Sequence, residues 1–202
     1  VSSPSAPPPA VPGRYPAELG RVWHPAGRPA VTIRALRPAD IELELDFVQR
    51  LSPQTLYLRT QYFGSAPTRH DLERLLDLDH VDRLAVAGTV VADDVERIVG
   101  VCRYARIEQT TRAECAVVVA DDWQACGLGT ELMRTLAQAA RARGYTCLEG
   151  TTLAGNARLV AWARRFGFDL RTEPHSGGQV KVTMNLDRLF PLPPSNEDNR
   201  LL

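Results

Sequence analysis

The sequence has no excess of charge of either sign: Lys plus Arg number 24, and Asp plus Glu number 24. Without a basic surplus there is little to neutralise a phosphate backbone or an anionic bilayer, so neither nucleic acid nor a membrane is an expected partner. No apolar run approaches the roughly 18 residues of a bilayer-spanning helix, and the N-terminus lacks the apolar core of a signal peptide. The expected setting is cytoplasmic. Cys102, Cys115, Cys126 and Cys147 show no C-x-x-C spacing. Three of them fall in apolar, strand-like runs, where cysteine behaves as a small hydrophobe, so a disulfide framework is not expected. His24, His70, His80 and His175 are scattered without ligand spacing, and no metal is expected. Gly-Lys-Ser and Gly-Lys-Thr are also missing, which removes a Walker-type nucleotide loop.

What is present is one domain's worth of chain, 202 residues with an apolar fraction of 44%, enough for a single sizeable core. Prolines crowd the first 29 residues and recur at Pro191, Pro193 and Pro194. Such runs remove backbone donors without offering a core. The expected organisation is a Pro-rich arm over 1–29, largely disordered, a catalytic domain over 30–189 and a disordered tail over 190–202. Within the arm, Tyr15, Leu19, Val22 and Trp23 are apolar enough to dock on the domain.

Val31–Arg34 alternates as a first strand, and Pro38 with Asp40 opens a helix to about Leu51. A short helical piece follows near 54–62, then a helix N-capped by Thr68. Strands are expected at 83–91, 97–107 and 112–120, joined by short polar turns as an antiparallel meander. From Gly127 to Arg143 the period becomes helical, with Leu128, Leu132 and Leu136 on one face and Glu131, Arg134, Gln138 and Arg141 opposite. A strand at 146–152, a helix at 156–166 and strands near 168–172 and 179–186 complete an α+β order, mixed α/β in its crossover, with about seven strands.

The junction Val117-Val118-Val119-Ala120-Asp121-Asp122-Trp123-Gln124-Ala125-Cys126-Gly127-Leu128-Gly129-Thr130 holds the chemistry. Gly127 and Gly129 clear side chains from a strand-to-helix turn, where free amides and the positive helix end suit a pyrophosphate. A dinucleotide fold would place its glycine loop after a first strand and follow it with a third glycine and an acid. Here the loop follows a meander.

Gln124, Gly127 and Gly129, with Gly167-Phe168 eleven and twelve residues after Asn156, resemble the hallmark of the GNAT N-acetyltransferases. More narrowly, Arg34-Ala35-Leu36-Arg37-Pro38-Ala39-Asp40, Leu51-Ser52-Pro53, Tyr57-Leu58-Arg59, Ala113-Glu114 and Asp121-Asp122-Trp123-Gln124 look like the acetyltransferase domain of bacterial protein lysine acetyltransferases of the acetyl-CoA-synthetase-silencing type. The resemblance implies a central, largely antiparallel sheet flanked by helices and acetyl-CoA as co-substrate. It further implies backbone groups of Val117 and Val119 along the pantetheine arm, with Val118 between them also at the co-substrate, and the loop Gln124, Ala125, Cys126, Gly127, Leu128, Gly129 and Thr130 around the pyrophosphate. Asn156 either contacts the co-substrate or only caps its helix. The implied acceptor is a protein lysine, on a partner such as an acyl-CoA-synthetase-like enzyme.

Amine attack requires a base, because a lysine with a pKa of about 10.4 is about one part in a thousand neutral at pH 7.4. Glu114 interrupts an apolar strand and shares a face with Ala116 and Val118, where it is either an outward-facing glutamate on a half-exposed strand or, as the resemblance implies, the family's glutamate base; for a base, partial burial is expected to raise its pKa. The family's thiolate-protonating tyrosine is replaced by Ala163, and Trp162 beside it reads as core. Cys126 reads as a tolerated small residue. Tyr57, Arg59, Tyr62 and Phe63, with Gly177-Gly178 opposite, either shape the acceptor site or simply pack. Two other readings stand beside this one: a small-molecule amine N-acetyltransferase, and a non-catalytic acyl-CoA-sensing module.

Overall fold

Period-two burial builds the sheet. In the computed structural model, which describes residues 13–60, 66–172 and 177–188, Val31, Ile33 and Ala35 are wholly buried while Thr32 is exposed. The strands among the described residues are β1 (Arg21–Trp23), β2 (Val31–Ala35), β3 (Arg83–Ala92), β4 (Val95–Arg106), β5 (Arg112–Val119), β6 (Cys147–Leu153), β7 (Asp169–Thr172) and β8 (Gln179–Asn185). They form one sheet in the order β1-β2-β3-β4-β5-β6-β8-β7, antiparallel throughout except between β5 and β6. The expected meander is β3 to β5. The parallel pair needs a crossover, which α4 (Leu128–Ala142) supplies.

The helices α1 (Ile41–Arg50), α2 (Pro53–Thr60) and α3 (Arg69–Leu75) precede the meander, and α5 (Ala157–Phe166) follows β6. Thr68 caps α3 as expected, accepting from the Asp71 N–H at 3.2 Å. One face of the sheet carries α1, through buried Glu44 and its two bonds of 2.7 and 3.0 Å from Arg103 of β4. The other face carries α4. At Gly100 of β4 an added Cβ would lie 3.0 Å from Leu132 and 3.1 Å from Leu128, so glycine there lets the helix sit close.

The expected α+β sheet is present, with eight strands among the described residues, one of them in the Pro-rich arm: Arg21, Val22 and Trp23 pair with Ile33, Thr32 and Val31. The described part of the arm is tied to the domain, with Tyr15 donating to Ala35 O at 3.0 Å, Arg37 lying 4.0 Å over the Tyr15 ring and Gly13 N–H donating to Asp79 O at 2.7 Å. One expectation needs correction, that for Glu131. Placed by periodicity on the polar face of α4, it is buried, because Arg21 of β1 covers it at 2.8 Å and Arg134 also binds it. Residues 1–12 and 189–202, with Tyr62, Phe63 and His175, lie outside the described residues.

Candidate functional site

β5 and β6 separate. Their ladder consists of Arg112 with Cys147, Ala113 with Leu148 and Glu114 with Glu149, and ends there. β5 stays with β4 as far as Val119, and β6 stays with β8 as far as Leu153. The apex of the wedge is set by Gly150, where a Cβ would lie 2.7 Å from Cys115 O, too close for any side chain. Backbone direction alternates along a strand. Ala120 N–H donates to Val99 O of β4 at 2.9 Å, so Ala116 and Val118 share that direction. Val117 and Val119 then turn their N–H and C=O toward the side β6 has left. This edge, about 13 Å from Cys115 to Val119 at ~3.3 Å per residue, is a template for an extended, amide-bearing chain. The backbone of Val118 belongs to the β4 ladder, where it pairs with Val101.

At the open end of the wedge the chain turns through Ala125 (φ 61°) and Gly127 (φ 92°) into α4. Gly127 is the N-cap and provides no side-chain cap, so the first-turn amides of Leu128 and Gly129 face outward from the positive helix end. A Cβ on Gly129 would make only an ordinary 3.6 Å contact with Val119. The protein's own packing therefore leaves room at this position, and a glycine here keeps the backbone open to a ligand.

Gln124 is an anchor more than a ligand in this structure. Its Nε2 donates to Val119 O at 3.2 Å and to Thr55 Oγ1 of α2 at 3.3 Å, and its Oε1 accepts from Arg158 of α5 at 2.6 Å. Asp121 fastens the same corner, accepting from Ser52 N–H at 2.9 Å and from the Thr55 hydroxyl at 2.7 Å. Burial would raise its carboxyl, but these hydrogen bonds outweigh it and hold Asp121 below the usual range. Trp162, read from sequence as core, packs against the core and also donates from Nε1 to Thr130 Oγ1 at 3.0 Å. Sequence reasoning missed the Trp162 and Arg158 links. Their spacing of four, one turn on one helix face, was the available signal.

Asn156 caps α5, its Oδ1 accepting from Leu159 N–H at 3.3 Å. Cys126 is buried with its thiol donating to Trp123 O at 2.9 Å. Cys115 is pushed up to about 12 by burial, so its thiol stays protonated at neutral pH. Ala163, at the tyrosine position, is buried under the domain's own packing.

Glu114 stands on the last rung before the apex, on the face that carries α1 and α2. It is exposed, so the partial burial expected of it is not found; it ends a paired stretch at the sheet's most open point. Its rung partner Glu149 is ion-paired to Arg112 and, at 3.1 Å, to Lys181. Burial would raise Glu149, and the two cations instead bring it below the usual range. Arg59 of α2 lies within electrostatic reach of Glu114, and burial, then neighbouring Arg103, lowers its guanidinium from its ordinary value. Arg59 is thus on the Glu114 side, and Tyr57 lies half a turn before it on α2, while Gly177 and Gly178 sit in a turn with φ of 65° and 85°. Among the described residues, no group of three or more His, Cys, Asp or Glu is arranged to hold a metal, and no helix is long and apolar enough to cross a membrane.

Residues 53–168 match the Acetyltransferase (GNAT) family. An acetyltransferase of Pseudomonas aeruginosa is 35% identical over 152 residues, covering 74% of this chain and 81% of that protein. Acetyltransferase Pat of Mycolicibacterium smegmatis is 31% identical over 142 residues, which is 67% of this chain but 40% of that longer protein. Among solved structures, the GNAT domain of S. lividans PAT superposes with a TM-score of 0.77 at 22% identity, covering 85% of this chain and 99% of that one.

Proposed function

The chain belongs to the acetyltransferase (GNAT) family and takes acetyl-CoA as its co-substrate; from that premise we propose that it transfers acetyl to the side-chain amine of a protein lysine, with Glu114 as general base. The position of Glu114 on the last β5–β6 rung, at the head of the wedge, supports this reading. Val117 and Val119 bind the pantetheine arm through their backbone as an added strand would. The amides from Ala125 to Gly129, with the Thr130 hydroxyl, receive the pyrophosphate, while the Thr130 N–H stays bonded to Gly127 O at 3.0 Å; Gln124 fixes the loop and Asn156 flanks it.

In this arrangement the thioester lies at the apex, one rung from Glu114. The carboxylate takes a proton from the incoming ammonium, directly or through a water, and the neutral amine attacks the thioester carbonyl without a covalent enzyme adduct. A β5 backbone amide steadies the developing oxyanion. The sulfur leaves as a thiolate, which a thiol of pKa about 8.5 tolerates without a side-chain acid at Ala163. The resemblance to the lysine acetyltransferases favours a protein acceptor in the cytoplasm, such as an acyl-CoA-synthetase-like enzyme.

The test is incubation with acetyl-CoA and a host lysate, followed by mass spectrometry for new acetyl-lysines against a Glu114→Gln control. Site-specific acetyl-lysine lost in the variant supports the proposal. Turnover of free small amines at low concentration, with no protein labelled, replaces it with the small-molecule reading. Tight acetyl-CoA binding without transfer to anything replaces it with a sensing module.

A further inference from the structure

We propose that Trp162 is a positioning residue that fixes the Thr130 hydroxyl as a hydrogen-bond donor to the pyrophosphate of the co-substrate; this rests on the acetyl-CoA site described above. An indole N–H can only donate, so in the 3.0 Å bond between Trp162 Nε1 and Thr130 Oγ1 the threonine oxygen is the acceptor. The hydroxyl proton must then point elsewhere. Threonine inside a helix ordinarily gives that proton to a carbonyl one turn back. Thr135 does so in the same helix, donating to Glu131 O at 2.9 Å. Thr130 makes no such bond among the described residues, although its place in the first turn of α4 puts the Cys126 and Gly127 carbonyls behind it.

The indole is held in place independently of Thr130. Its ring stacks on Phe166 at 5.3 Å between centroids and tilts against Phe168 at 6.2 Å. The N–H direction is therefore set by core packing and does not adjust to the ligand, as preorganisation requires. One turn earlier on α5, Arg158 reaches Gln124 at the other end of the same loop. α5 thus grips the phosphate loop at both ends, and at Thr130 the grip leaves a hydroxyl proton without an acceptor among the described residues.

The geometry also accounts for a donor at 162 where the family's tyrosine position, 163, is a buried alanine. The adjacent residue serves the phosphate end of the co-substrate, and position 163 itself offers no acid to the thiolate end.

The experiment measures affinity by calorimetry for acetyl-CoA and for acetyl-pantetheine, which lacks the pyrophosphate, in wild type, Trp162→Phe, Thr130→Val and the double variant. Phenylalanine keeps the aromatic stack and removes the N–H. We expect Trp162→Phe to weaken acetyl-CoA about fivefold and Thr130→Val about tenfold, the size of one hydrogen bond to a charged group. The double variant should be no weaker than Thr130→Val, Thr130→Ser should bind as wild type, and acetyl-pantetheine should be unaffected throughout. Equal losses for both ligands, or a double-variant loss equal to the product of the single losses, would overturn the proposal. Unchanged acetyl-CoA affinity in Trp162→Phe would overturn it too, while leaving the acetyl-CoA site standing. No acetyl-CoA affinity in the wild type would overturn the site itself.

Discussion

Glu114 and Glu149 face each other across the last rung between β5 and β6; Glu149 is ion-paired to Arg112 and Lys181, whereas Glu114 makes no ion pair among the described residues. Two carboxylates one strand apart would repel if both were bare; the cations take one and leave the other for chemistry. We predict that Glu114→Gln lowers kcat at least a hundredfold with little change in acetyl-CoA affinity, whereas Glu149→Gln keeps kcat within about threefold. Steady-state kinetics on the acceptor identified in the lysate checks both. Equal losses in the two variants would remove the asymmetry between the pair.

Gly150 is where the wedge begins. Gly150→Ala places a Cβ 2.7 Å from Cys115 O, so one strand must shift. A loss of about 1–3 kcal/mol in stability is expected, as for other overpacked sites, together with weaker acetyl-CoA binding, since the edge at Val117 and Val119 moves with the apex. Gly155→Ala is the control, because a Cβ there meets nothing within 4 Å. Denaturant titration and calorimetry on both variants separate the outcomes.

His80 packs against Tyr15 of the N-terminal arm. It is buried at φ 60°, edge-on to Tyr15 at 5.6 Å, with no hydrogen-bond partner for Nδ1 among the described residues. Burial lowers its pKa, Asp79 opposes, and Arg143 and Arg37 lower it further. A histidine depressed in the folded state adds stability above its unfolded value, about 6.5, which is lost as pH falls below that value toward the folded one. The melting temperature should therefore drop on acidification below about pH 6.5, and His80→Gln should flatten that part of the profile.

Thr152 of β6 is 2% exposed, and its hydroxyl has no hydrogen-bond partner among the described residues. Thr152→Val keeps the shape and removes the polar atom. Stabilisation of about 1 kcal/mol, or ~2–4 °C in melting temperature, is expected. A lower melting temperature in calorimetry would show that the hydroxyl is satisfied in solution.

Most of the fold is written in local periodicity. The α4 stripe of Leu128, Leu132 and Leu136, the three meander strands and the Thr68 cap all follow from residues close in sequence. β1 does not: three residues between prolines carry no pattern, and the strand exists because β2 offers an edge and Arg21 finds Glu131, 110 positions away. The candidate site divides in the same way. The loop from Gln124 to Gly129 is legible because glycine placement at a strand-to-helix turn is a local signal. The wedge is not, because it depends on where two strands 35 residues apart stop pairing, and the roles of Gly150, Arg158 and Trp162 appear only once α5 lies against the loop. The exposure of Glu114 likewise depends on β6 and α2, which its own strand cannot report.

The sheet can also be considered mechanically. Three ladder pairs join β5 to β6, so the continuous eight-stranded sheet narrows there to a short spine. That spine ends at Glu114 and Glu149, beside the edge of Val117 and Val119 that a bound chain would cover. Hydrogen exchange of the amides on that spine should therefore slow most when the wedge is filled, a signal of occupancy at a distance from the phosphate loop.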